Sequence, residues 1–319
     1  MTGGTHSQGA FSKLLIEPGA TSPGNPHTFD ASSEIYEYLL EGIKKYEYIV
    51  GGGEMTGSRS RRFERTRLAA HEVRGPIEKF ISPGELEFLL VHMHGSVTTP
   101  TETIPYFGIL CDRDEGIFRY NDCKVARWVL RGRAAEVGEH NDADLLTLRL
   151  DIMGSDEVGP NDTDPPSWPG SPPTLGTTAA YNPMVFSDTD GAVTIKGAVR
   201  AIQEFVVVCN HRMYARTVNS LAPHSLCARD RIIKATFRLP WNSTYSSLYA
   251  SDLAGAAASI VISNSATTST TLTFDKLQIP RQSPAANRGR EEIGLILDGQ
   301  LTDSGGDSDE LSFINDATV

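Results

Sequence analysis

Long apolar runs are missing from this chain. No window approaches the ~18 consecutive apolar residues of a membrane-spanning helix, and the longest clean run, Phe205–Cys209, has the length of a strand. Cysteine is scarce: Cys111, Cys123, Cys209 and Cys227 are the four in 319 residues, none in a CxxC spacing. That excludes a disulfide scaffold and points to free thiols in a reducing compartment. Residues 1–10 carry neither a basic n-region nor an apolar h-region, so no secretory leader is expected. Positive charge is in deficit, with 29 Lys and Arg against 40 Asp and Glu and a net charge of −11. A protein built to grip nucleic acid normally shows the opposite balance.

Catalytic and cofactor signatures are absent as well. There is no GxSxG or HExxH motif, and the glycine-rich Gly51–Gly57 lacks the lysine of a phosphate-cradling loop. His92 and His94 stand near Cys111 and Cys123 in a zinc-like assortment. Two positions apart on a helix, however, the histidines point to roughly opposite sides and cannot share one ion; they read as helix-surface residues. Asp112, Asp114 and Glu115 read as a solvated turn. The expectation is a protein that is not an enzyme, with no cofactor and no metal.

What is present is glycine (29) and proline (18), in clusters. They divide the chain into a flexible N-terminal arm (1–32), a first β domain (33–154), a Pro-rich linker or long loop (155–183), a second β domain (184–303) and a C-terminal tail (304–319). The arm has no core-forming pattern and is expected to be dispensable for folding. Between the breaks the dominant period is two: Leu146, Leu148, Leu150 and Ile152 alternate with polar residues, as do Ile233, Ala235, Phe237 and Leu239. Such alternation marks strands wet on one face, hence mainly antiparallel sheets. The clearest helix starts at Ser82-Pro83-Gly84-Glu85, an N-cap, a first-turn proline and a capping-box glutamate, and ends at Gly95. A second helix is expected over 243–255, and residues 34–46 read either as a helix or as the approach to a strand. The windows Arg74–Gly95 and Lys234–Gly255 match in pattern but share one identity, the terminal glycine, which leaves duplication an open alternative. The fold class expected is mainly β, packed antiparallel sheets with one short flanking helix per half.

One stretch breaks the acidic balance. Arg59, Arg61, Arg62, Arg65 and Arg67, followed by Arg74, stand against Glu64 and Glu72. Arginine suits bidentate pairing with carboxylates and phosphates, so the first five are candidate subunit-interface residues gripping an acidic surface of a neighbouring copy. A charged edge strand and a nucleic-acid contact are the other readings.

Several segments in order along the chain resemble the tail tube proteins of long-tailed, siphovirus-type bacteriophages. They are Gly57-Ser58-Arg59 through Val73–Ile77, Ser82–Leu86 with Leu89, Leu90 and Gly95, Tyr120–Val125, Asp190–Gly197, Glu204–Val208 with Asn210–Arg212, Thr271–Phe274, Ile279-Pro280, Ser283-Pro284, Arg290–Ile293 and Leu297–Gly299. The resemblance implies a β-sandwich or barrel subunit that self-assembles into stacked rings around a channel, located in the virion tail after assembly in the bacterial cytoplasm. Its partners would be itself and other tail proteins, with DNA passing without specific binding and no membrane. If the halves are duplicates, three chains would close a ring that otherwise needs six, and a trimer is favoured over a hexamer. A receptor- or carbohydrate-binding β-sandwich, as in a tail fibre or decoration protein, and a terminator or baseplate ring protein are the alternatives, with a hydrolase on a β-scaffold behind them.

Overall fold

The computed structural model describes residues 13–18, 23–24, 27–51, 66–113, 116–134, 144–171, 173, 182–186, 193–241, 248, 252–265, 268–281, 294–302 and 310–317. The first half runs β1 (Lys13–Ile16), β2 (Glu34–Tyr36), β3 (Leu40–Glu41), β4 (Lys44–Gly51), β5 (Thr66–Phe80), α1 (Pro83–His94), β6 (Phe107–Asp112), β7 (Ile117–Arg133), β8 (Thr147–Gly154) and β9 (Asp156–Val158). The second runs β10 (Val193–Ile195), β11 (Ala198–Val199), β12 (Glu204–Asn210), β13 (Tyr214–Arg216), β14 (Ser225–Cys227), β15 (Ile232–Pro240), β16 (Asp252–Ser265), β17 (Thr268–Ile279), β18 (Gly294–Thr302) and β19 (Leu311–Ala317). The fold is mainly β with antiparallel sheets, as the period-two pattern demands. Strands β5, β8, β12 and β15 bury their alternating Val, Ile, Leu, Phe and Ala side chains in a core that includes residues of both halves.

The single α-helix among the described residues is the one its caps announce. Ser82 Oγ accepts the Glu85 amide at 3.3 Å and donates to Glu85 Oε2 at 2.7 Å. Gly95 ends the helix in the left-handed region (φ 86°). A Cβ there would lie 2.0 Å from Thr101 Oγ1 and 2.4 Å from the Thr103 carbonyl, so only glycine fits.

Elsewhere the expectations need correction. Residues 34–46 form β2, β3 and the start of β4 rather than a helix. Of the helix expected over 243–255, residues 252–255 begin β16, Leu248 is a buried isolated 3₁₀ position, and the rest lies outside the described residues. The arm expected over 1–32 contains β1, whose Leu14, Leu15 and Ile16 are buried between β2 and β6. A strap follows it: Glu17 accepts the amides of Gly108 (2.7 Å) and Thr28 (2.9 Å) and pairs with His27 Nδ1. Burial opposes charge on His27, but Asp122 and Glu17 outweigh it and hold its pKa up to about 9. The Asp122 amide nevertheless reaches Nε2 at 2.9 Å, inside the 3.4 Å of its carboxylate. That geometry belongs to the neutral ring, its proton on Nδ1 against Glu17, which is the form present above that pKa. The linker expected over 155–183 begins with β9, paired to β7, and the tail expected over 304–319 contains β19, which buries Leu311 and Phe313 beside β17.

The topology occurs twice. Strand pairs β1·β2, β1·β6, β5·β8, β6·β7, β7·β8 and β7·β9 recur as β10·β11, β10·β16, β15·β18, β16·β17, β17·β18 and β17·β19. The match holds residue by residue as far as Gln278↔Gln300, the last pair of β17 with β18. A register shift follows Phe107↔Cys123 and resumes at Ile109↔Tyr120; another follows Ala256↔Leu277 and resumes at Ala258↔Phe274. Counting from those bulges, Lys124↔Met153↔Arg74 corresponds to Gln278↔Gln300↔Lys234. Arg74 and Lys234 are the residues that open the two matching sequence windows. In the same frame Leu40↔Glu78 and Lys44↔Arg74 correspond to Glu204↔Arg238 and Val208↔Lys234, so β3 and the start of β4 together are the counterpart of β12.

Candidate assembly surface

One ladder has no counterpart among the described residues. Strand β12 lies between β15 and β7, and seven residue pairs, from Glu204↔Arg133 to Asn210↔Arg127, join the second repeat to the first. The joint is head-to-tail. The outer edge of β7 meets the counterpart of β3–β4, not the counterpart of itself, so no two-fold axis relates the repeats. Bulk and charge hold it: a Cβ on Gly132 would lie 2.6 Å from Phe205 and 2.7 Å from Phe186, and Arg131 pairs with Glu204 at 2.8 Å. The chain segment between the repeats is tied in as well, because the Met184 amide donates to the Ile81 carbonyl and the Met184 carbonyl accepts from the Leu146 amide.

The joint makes one sheet, β4-β5-β8-β7-β12-β15-β18-β17, through both repeats. Directly opposed residues share a face, which assigns Glu78, Arg149, Val129, Val208 and Lys234 to the face away from the core. The neighbouring rows add Asp151 and Arg127, then Arg131 and Asp298, then Arg133, Glu204 and Arg238. Six bases thus stand against four acids on these rows. Arg127 and Arg149 contact Asp151 at 3.4 and 3.0 Å. The acidic balance of the whole chain is not carried by this face.

At the β4 end the sheet stops. Among the described residues β4 pairs with β5 alone, and Tyr46, Tyr48 and Ile49 are 41, 50 and 70 % exposed. Tyr48 donates to Glu72 at 2.5 Å, and Arg74 pairs with the same carboxylate at 2.8 Å. Of the candidate interface arginines, Arg67 is exposed on β5, opposite Val50 of this edge hairpin. Arg59, Arg61, Arg62 and Arg65 lie outside the described residues, as does most of Gly51–Gly57. The hairpin's apolar exposure had no separable signal in sequence, because its Tyr-x-Tyr-Ile run reads like any buried strand.

The histidine and cysteine assortment is dispersed. His92 and His94 do diverge, but both are buried, which corrects their reading as surface residues. His92 meets Phe107 (centroids 4.5 Å apart) and His94 stacks on Phe313 (5.1 Å). Strands cover both flanks of the helix where solvent was expected. Burial lowers both pKa values to about 3 and, opposed by a hydrogen bond to the Met93 carbonyl, lowers that of His211 to about 4. Cys111 and Cys123 are free and buried, their thiols pushed up by burial. Among the described residues no three His, Cys, Asp or Glu side chains gather as metal ligands, and no helix is long and apolar enough to cross a membrane. Asp112 ends β6, with Asp114 and Glu115 outside the described residues. No protein-family model matches the chain, and no curated protein matches it.

Proposed function

We propose that this chain is a structural subunit that assembles with copies of itself into closed rings, and that the rings stack into a phage tail tube through which DNA passes. The observation that carries the reading is the head-to-tail joint between two topologically equal repeats. A heterologous contact repeated by rotation generates a ring when the rotation closes and a filament when it does not. The chain already contains one such step, and the ordered resemblance of its segments to tail tube proteins supplies the context.

In this reading the chain contributes two units, so three chains close a pseudo-sixfold ring. The open face of the long sheet lines the channel, where Asp151 and Glu204 occupy neighbouring guanidinium groups and reduce their attraction for phosphate. The subunit's work is mechanical rather than catalytic. Electron microscopy of the purified full chain tests this: rings or tubes with three chains per ring are expected. A protein monomeric at every concentration would overturn the reading, and six chains per ring would overturn the stoichiometry.

A further inference from the structure

We infer that the outer edge of β4, at Tyr46 and Glu47, receives the end of the β17 segment, Pro280 and Arg281, of the second repeat of another copy of this chain. This rests on the self-assembling reading above and says which edge makes the contact. Inside the chain, the outer edge of Val208–Asn210 is covered by Val129–Arg127, and the His211 amide continues the ladder to the Ala126 carbonyl at 3.0 Å. β7 makes a register shift between Val125 and Arg127, and the proposal requires β17 to repeat it past Ile279. Counted along the chain in that way, Asn210↔Arg127 maps onto Tyr46 and Arg281, and His211 with Ala126 onto Glu47 and Pro280. Arg127 and Arg281 are both arginines.

The occupant has to be a second copy. Tyr46 and Arg281 belong to opposite ends of an eight-strand order, and among the described residues no ladder joins β4 to β17. The edge is also unlike one built to stay alone. Strand edges are normally blunted by charges, bulges or a covering element; here a bulge falls only at Tyr48/Ile49, and Tyr46, Tyr48 and Ile49 stand exposed. The contact has a definite inner limit. The Ile43 amide is taken by Glu41 Oε1 (2.6 Å), and its carbonyl accepts from Arg113 (2.7 Å) and Tyr120 (2.8 Å). Arg113 in turn grips Glu41 in a fork at 2.9 Å. The joint between copies therefore does not extend inward past Lys44.

Two variants that each add one cysteine, Tyr46→Cys and Arg281→Cys, made in a Cys227→Ser background that leaves only the buried Cys111, Cys123 and Cys209 and mixed, test the register. Opposed residues of an antiparallel pair have Cα atoms about 4.5–5.5 Å apart, within disulfide reach. Oxidation of the mixture is expected to give at least ten times more covalent dimer than either variant alone. A second variant, Tyr46→Lys/Ile49→Lys, leaves the core untouched and is expected to keep a native circular dichroism spectrum while sedimenting as a monomer. If wild type forms rings but the mixture does not cross-link and the lysine variant assembles normally, the edge assignment is wrong and the assembly reading survives. If wild type never assembles, both fall.

Discussion

Single residues explain why two equal topologies do not look equal in sequence. Where repeat 2 has Ala235-Thr236, repeat 1 has Gly75-Pro76. Proline offers no amide to its neighbour, and a Cβ on Gly75 would lie 2.2 Å from the Gly42 carbonyl oxygen. The neighbouring chain therefore bends in at Gly42-Ile43, and the strand continuous as β12 is split into β3 and β4. Buried histidines are the other residue-scale feature, and they set an acid limit on the fold. Unfolded, His92, His94 and His211 would titrate near 6.5; folded, they stay neutral down to about 3, 3 and 4. Below pH 6.5 the unfolded chain binds protons that the folded one does not. The contribution of these three histidines is therefore complete above 6.5 and falls with pH at about 1.4 kcal/mol per unit for each of them. Urea midpoints measured between pH 7 and 5 should drop steeply, and His94→Phe, which keeps the stack on Phe313, should remove about a third of the histidine-driven slope. An unchanged slope would show that His94 is not a source of it.

At the scale of elements, capping chemistry was legible and burial by distant partners was not. Ser82, Glu85 and Gly95 act locally, so their spacing announces α1 wherever it lands. β1 has the opposite character. Four residues set among Gly, Pro and Ser carry no periodicity to read, and their meaning depends on β2 and β6, the latter about ninety residues away. The same holds for β19, whose Phe313 also meets Trp128 of the other repeat. A truncation starting at residue 32 should therefore unfold or aggregate rather than leave an intact fold, contrary to what a flexible arm implies. The gentler Leu15→Ala removes a fully buried side chain and should cost about 2–5 kcal/mol, measured by chemical denaturation. A truncated protein with native circular dichroism and an unshifted midpoint would show that β1 contributes nothing.

For the whole molecule, periodicity revealed the sheets, and matched windows hinted at the repeat. The joint between the repeats was illegible, because a strand's sequence states that it pairs but not with which edge. The Pro-rich stretch suggested two separable units, whereas the packing argues for one cooperative body. The main core cluster draws on both repeats, α1 of the first packs on β17 and β19 of the second, and the β7–β12 ladder buries Phe205 against Phe186. Separating the repeats would expose Phe205, Val207 and Cys209, all buried now, together with an unpaired edge of seven residues. Full burial of each large apolar side chain contributes about 1.5–3 kcal/mol, so such a half-molecule would start several kcal/mol down from a total that rarely exceeds about 15. Equilibrium unfolding of the monomeric Tyr46→Lys/Ile49→Lys variant should accordingly show one transition, coincident by tryptophan fluorescence and far-ultraviolet circular dichroism. Two resolved transitions, or a stable folded fragment spanning 184–319, would mean that the joint is a contact between independent domains rather than part of a single fold.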